Sequence, residues 1–248
     1  MRPVPNWAII RGMSRTDEVV AGVRRMITGG ELGPGDRLPV EKDLAERLGV
    51  SRGSLREGVR ALTVLGVLDT RQGDGTYVTS LDPARLMSSL QFVVDLHGDT
   101  SARPFHAVRR VLETEAAGLA AHRITPEALE QARAVLDQAA RTLAQQPVDH
   151  PAFIEADTEF HRIVADQGGN PVITALVEAI AGRTAGERLW RGRHEEGALA
   201  RTQRDHEAVW RALAAGDAEA ARVRMAAHLL DVEETLPGPE VVDADPAR

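Results

Sequence analysis

From about residue 83 to residue 235 every segment of the chain repeats its apolar residues at helical spacing, and none alternates with the two-residue period of a strand. A chain patterned this way buries its apolar faces only by packing helix on helix. Breaks near Gly98–Ala102, Thr125-Pro126, Pro147–Pro151, Gly168–Pro171, Gly192–His194 and Gly216 divide the stretch into six or seven helices. Each runs roughly 15–22 residues, the dimensions of a helical bundle.

The preceding residues have a different texture. After an aperiodic arm over 1–13, Val19, Val20, Val23, Met26 and Ile27 recur at helical spacing. Ser14 and Asp17 form a capping-box pair in front of them, and Gly29-Gly30 supplies the stop. A second short helix is expected from about Glu41 to Leu48, ended by Gly49, with Leu44, Ala45 and Leu48 inward. Ser51 then caps a third helix over about Arg52 to Leu65, with Leu55, Val59, Leu62 and Leu65 inward and Gly66 at its end. Residues 67–71 and 76–79 read as two strands joined by a turn at Gly73-Asp74-Gly75. The expected architecture is therefore mainly α. A winged helix-turn-helix of three helices and a hairpin spans 14–79, a linker 80–84, and an all-α bundle 85–235, with an acidic tail over 236–248.

Charge follows the same division. Residues 1–80 carry 12 Lys/Arg against 10 Asp/Glu, a net of +2, and the remainder carries a net of −9. An acidic bundle repels phosphates, so contact with DNA has to be confined to a local basic surface of the first part. The chain has no cysteine, which excludes disulfides and thiolate metal sites. Neither a signal-peptide pattern nor an 18-residue apolar run is present, so the expected location is the cytoplasm with no membrane contact.

Two constellations carry chemistry. On the third helix Arg52, Arg56 and Arg60 share one face at four-residue intervals, with Ser51 and Ser54 at its N-terminal end. Following a two-helix turn and preceding a glycine-rich hairpin, this is the arrangement of a recognition helix and wing. In the bundle, Asp157 and His161 lie four apart on one helix. His206 shares a face with Trp210 and Leu213, and His228 shares one with Ala221, Met225 and Val232. All four groups point inward from three helices. Three imidazoles and a carboxylate are costly to bury unless paired or coordinated, and together they suit zinc or a similar divalent ion. The remaining histidines, His106 among them, receive no role. Glu155 and Glu159 project away from this face, leaving no obvious second carboxylate as a general base.

Residues 32–78, LGPGDRLPVEKDLAERLGVSRGSLREGVRALTVLGVLDTRQGDGTYV, resemble the GntR family of bacterial regulators. The resemblance implies DNA contacts from Lys42, Arg52 and Arg56, aided by the wing at Gln72 and Gly73. Two positions depart from the family pattern. Lys42 replaces the usual Arg, turning a fork into a point charge, and Val40 replaces the usual Ser, losing a helix cap. The stretches VRRVLETEAAGLAAHR (108–123) and DTEFHRIVADQGGNP (157–171), with the later helices bearing His206 and His228, resemble the FCD ligand-binding domain of the FadR subfamily. That implies a divalent metal, zinc first with nickel or manganese as alternatives, held by Asp157, His161, His206 and His228. It also implies a role for Arg109 in gripping the carboxylate of a small organic acid, against the plainer reading of an ion pair with Glu113. The expectation is a non-enzymatic transcription regulator, a repressor. It binds a roughly palindromic double-stranded operator as a homodimer and responds to the acid. The alternatives are a regulator that takes a larger acyl-thioester without metal, and a metalloenzyme fused to a DNA-binding domain.

Overall fold

The computed structural model describes residues 14–83 and 103–236, which fall into two compact units. The arm expected over 1–13, the break near Gly98–Ala102, residues 84–102 generally, and the tail beyond Leu236 lie outside the described residues.

The first unit is three helices and a hairpin: α1 (Arg15–Thr28), α2 (Glu41–Leu48), α3 (Arg52–Val64), β1 (Leu68–Arg71) and β2 (Gly75–Val78). The Asp17 amide donates to Ser14 Oγ, and the Ser14 amide donates to the Asp17 carboxylate, both at 3.0 Å, so the capping box forms. Gly49 closes α2 in the left-handed region at φ 65°. Val40 caps α2 without a side-chain hydrogen bond, as its substitution implied. Val19, Val23, Leu38, Leu44, Leu55, Leu62, Leu68 and Val78 form one core. At Gly58 a Cβ would lie 2.5 Å from Val19, so only glycine lets α3 approach α1 this closely.

Two details differ from expectation. Leu65 is 46% exposed rather than inward, because it is the C-cap of α3. There the chain turns through Gly66 (φ 75°) and leaves the buried stripe. Gly75 pairs with Arg71 in the antiparallel ladder, so the turn is Gln72–Asp74 with Gly73 at φ 75°.

The second unit contains six helices among the described residues. They are α4 (Arg103–Ala121), α5 (Pro126–Leu143), α6 (His150–Gln167), α7 (Pro171–His194), α8 (Ala198–Ala214) and α9 (Ala218–Glu234). Thr125, Asp149, Asn170 and Asp217 each accept backbone N–H bonds at the starts of α5, α6, α7 and α9, where the sequence breaks were read. Helix α7 runs 24 residues, longer than expected. Ala117, Leu136, Phe160, Val164, Val209 and Met225 lie at the heart of the core. Helix α4 packs against α6, α7, α8 and α9, so its inward stripe faces the middle of the unit. Among the described residues no helix is long and apolar enough to cross a membrane.

Candidate DNA-contact surface and candidate metal centre

On the first unit, Arg52, Arg56 and Arg60 are exposed along α3, and Lys42 is exposed on α2. Ser51 caps α3, its Oγ accepting the Ser54 amide at 3.1 Å and lying 3.0 Å from Ser54 Oγ. Gln72 and Gly73 are exposed at the hairpin tip. A cleft of about 360 Å³ between α3 and the hairpin is lined by Arg37, Glu41, Arg56, Arg60, Thr70 and Thr76, with apolar residues at its floor. Arg56 and Arg60 therefore face the wing.

Four contacts here were not anticipated. Arg56 is paired with Glu41 of α2, Nε to one carboxylate oxygen and Nη2 to the other at 2.9 Å. The bond from Arg56 holds the Glu41 carboxyl below its ordinary range. The wing is braced from behind: Arg37 donates to the Asp74 carbonyl, Tyr77 donates to the Asp74 carboxylate at 3.0 Å, and the Arg71 guanidinium lies 4.4 Å over the Tyr77 ring. Cross-strand neighbours of this kind are invisible until the register is known.

In the second unit α6 supplies Asp157 and His161, α8 supplies His206 and α9 supplies His228. One ligand atom from each lies within 4.8 Å of all the others, and none of the four is more than 4% exposed. His206 Nε2 is 3.1 Å from the Nε2 of both His161 and His228, and 3.6 Å from Asp157 Oδ1. Nitrogens sharing one zinc at about 2.0–2.1 Å each are spaced about 3.3 Å apart in a tetrahedral site, so these separations fit a common ion.

Carboxylates stand beside the outer nitrogens of two of these rings. The Glu113 carboxylate of α4 lies against His161 Nδ1, and Asp205 Oδ2 is 3.6 Å from His228 Nδ1. A carboxylate beside Nδ1 favours the proton there and turns the lone pair of Nε2 toward the centre. Several lone pairs then converge in a dry space, an arrangement that repels itself until a cation enters. Phe160 stacks on His206 with centroids 4.7 Å apart and walls one side.

Charge in this region is dense and paired. Arg109, 1% exposed, donates from Nε to Glu113 at 2.6 Å and from Nη1 to Thr184 at 3.2 Å. Those bonds use two of the five N–H groups of its fork. The ion pair with Glu113 therefore exists, and it is buried rather than on the surface. Burial alone would raise the Glu113 carboxyl, but Arg109 and His161 pull it far below the ordinary carboxylate range. Asp157 behaves likewise, with Arg188 of α7 the strongest counter-charge.

A second carboxylate does stand by the cluster, though not where it faces the converging nitrogens. Glu113 is there, but it occupies Nδ1 of His161, on the far side of the ring from Nε2. Arg188 and Asp205 were also missed. The signal for Arg188 was present in Thr184, Arg188 and Arg191, spaced as one helix face of α7. His106, which received no role, is 1% exposed on α4.

Burial, then the neighbouring imidazoles, pushes His206 well below its ordinary pKa; burial also lowers His228, against the pull of Asp205, and His106 falls to about 3. His206 and His228 are thus held neutral, as metal ligation requires of them. Because these folded-state values lie below the unfolded value of about 6.5, their stability contribution is present above that pH and lost as pH falls through it. His106 alone accounts for on the order of 2 kcal/mol between pH 7 and pH 5. Chelator-treated protein is expected to melt several degrees lower at pH 5.0 than at pH 7.5. An equal or higher melting temperature at pH 5.0 would contradict the buried neutral rings.

Known protein families match both described units. Residues 15–78 match bacterial regulatory proteins of the gntR family, and residues 105–231 match the FCD domain. The chain belongs to the GntR family. It is 31% identical over 218 residues to the HTH-type transcriptional regulator LutR of Bacillus subtilis, covering 86% of this chain and 97% of that protein. It is 30% identical over 216 residues to the galactonate operon transcriptional repressor of Escherichia coli, covering 84% and 91%. Among solved structures, Streptococcus agalactiae GntR is similar with a TM-score of 0.63 and 26% identity, covering 88% of this chain and 99% of that one. The protein is a GntR-family transcription regulator with a DNA-binding winged helix-turn-helix and an FCD domain, not an enzyme.

Proposed function

We propose that this GntR-family regulator is a repressor whose operator affinity is set by a small organic acid bound beside a divalent metal in the FCD domain. The observation that carries the reading is the convergence of Asp157, His161, His206 and His228, buried and backed by carboxylates at Nδ1. Zinc suits three imidazoles and a carboxylate best, with nickel or manganese as alternatives. Bound there, the ion would supply positive charge that attracts an anion into a dry site. Arg109, with donors left on its fork, takes the effector's carboxylate. Glu113 and Thr184 hold that guanidinium in place, and Phe160 excludes water. The name of the galactonate operon repressor points to an acid in that relative, which supports an acid here.

In the N-terminal unit Lys42, Ser51, Arg52, Ser54, Arg56, Arg60, Gln72 and Gly73 form the DNA-contact surface. Arg52 and Arg56 read base edges, while Lys42 and the wing hold phosphates. The regulator acts as a homodimer on a roughly palindromic double-stranded operator, because two-fold symmetry matched to two half-sites adds the contacts of both copies. Binding of the acid changes the operator affinity, and by linkage the operator changes the affinity for the acid by the same factor.

Metal content tests the reading. Purified protein is expected to carry one divalent ion per chain, and His206→Ala or His228→Ala to weaken metal affinity at least 100-fold together with the response to acids. Full metal occupancy in both variants would overturn it.

A further inference from the structure

Val40 suits its position at the start of α2 poorly. It stands at the N-cap, where a serine, threonine, aspartate or asparagine would accept a helix N–H, and it makes no such bond. Burial does not offset the missing cap, because Val40 is 58% exposed. A branched apolar side chain left in water at an uncapped helix start breaks a local rule of folding, and such breaks are expected where a surface has a second task.

Val40 lines the cleft of about 360 Å³ between α3 and the hairpin, together with Arg56 and Arg60. The next residue, Glu41, is the partner of Arg56, and Lys42 follows it, exposed. Among the described residues that line the cleft, the exposed ones are arginine and threonine apart from Val40, which alone is a hydrocarbon. Arginines on a winged helix-turn-helix meet DNA, so the occupant of this cleft is the edge of a base pair in the major groove. That groove offers one apolar group, the C5-methyl of thymine, and aliphatic side chains read it by contact. Guanine, adenine and cytosine present donors and acceptors there, and the fork of an arginine seeks the acceptors of guanine. Arg56 and Val40 therefore answer different bases from adjoining places.

We propose that Val40 is a specificity-determining residue for the operator, packing on the C5-methyl of a thymine beside the base that Arg56 reads. The proposal rests on the reading of α3 as the recognition helix.

The test takes a duplex that the full-length protein selects from random sequence and replaces each of its thymines in turn by deoxyuridine. The exchange removes the methyl and leaves every hydrogen-bonding group in place. Affinity is read by fluorescence anisotropy at fixed salt. At one thymine of the half-site the exchange is expected to weaken wild-type binding about fourfold, the equivalent of about 0.8 kcal/mol for one buried methylene. Making it in both half-sites should weaken binding roughly 15-fold. Val40→Ser and Val40→Ala should bind the thymine and deoxyuridine duplexes alike at that position, and Val40→Thr, which keeps one γ-methyl, should retain part of the difference. Val40→Ser and Val40→Thr also supply a capping oxygen, so both are expected to melt at or above the wild-type temperature. A lowered melting temperature in all three variants would make Val40 structural and end the proposal. A methyl effect undiminished in Val40→Ser and Val40→Ala would end it too, as would the lack of a methyl effect at every thymine in the wild-type protein. If Arg52→Ala and Arg56→Ala still lose specific binding in that last case, this inference falls alone; if they bind unchanged, the recognition-helix reading falls with it.

Discussion

Arg188→Ala is expected to destabilise the metal-free FCD domain by about 3–5 kcal/mol, the typical cost of stripping one partner from a buried ion pair. Arg188 is 6% exposed and Asp157 4%. The guanidinium contacts the Asp157 carboxylate through Nη1, donates from Nη2 to the Ala181 carbonyl at 3.0 Å and to Thr158 Oγ1 at 3.3 Å, and donates from Nε to the Thr184 carbonyl at 3.3 Å. Truncation leaves a carboxylate in the interior with no full counter-charge and three acceptors with lost partners. At roughly 2–4 °C per kcal/mol for a chain of this size, the melting temperature in chelator should fall by about 10 °C. Two further outcomes identify the cause. Divalent metal should restore more stability to the variant than it adds to the wild type, because the ion replaces the missing charge. Adding Asp157→Asn to Arg188→Ala should recover part of the loss, because the uncompensated charge is gone. A chelated Arg188→Ala protein that melts with the wild type would refute the argument.

Arg52→Ala with Arg56→Ala should weaken specific DNA binding by about 10²–10⁴-fold. A bidentate arginine contact to a base carries about 1–3 kcal/mol of discrimination, and the two act at different positions. The measurement is fluorescence anisotropy at fixed salt, on a duplex that the wild-type protein selects from random sequence, with a scrambled duplex as reference. Specific binding should collapse toward the scrambled value while the FCD domain's melting is unchanged. Arg56 carries an additional expectation, because Glu41 holds it in the free protein. Reaching a base requires that exposed pair to open or to turn together, so the Arg56→Ala effect should be the smaller of the two. Unchanged operator affinity in both single variants would defeat the assignment of α3 as the recognition helix.

Much of this protein is local in origin and was legible in the chain. The Ser14/Asp17 capping box, Gly49 in its left-handed conformation and Thr125, Asp149, Asn170 and Asp217 at helix starts are choices made within four residues. The elements fall where those signals stand. Helical periodicity also aimed Asp157, His161, His206 and His228 inward, since an i, i+4 relation sets direction whatever the helix packs against.

What periodicity left open was the company those residues keep. Arg188 and Asp157 are 31 residues apart and His161 and His206 are 45 apart, separations across which sequence spacing carries no distance. Leu65 read as core because it continues an apolar pattern, yet the chain turns away before it is used. Arg56 read as a DNA contact, and only the folded structure shows that Glu41 from the neighbouring helix reaches it. His106 received no role because it lies outside the Asp/His pattern, and its burial came to light only in the folded structure. Sequence alone determined the helices, the hairpin and the direction of each candidate ligand, since those follow from hydrogen bonds and steric rules acting over a single turn. Tertiary packing decided which charges neutralise one another and which imidazole nitrogens face inward, because those depend on where α4 and α7 come to rest against α6, α8 and α9.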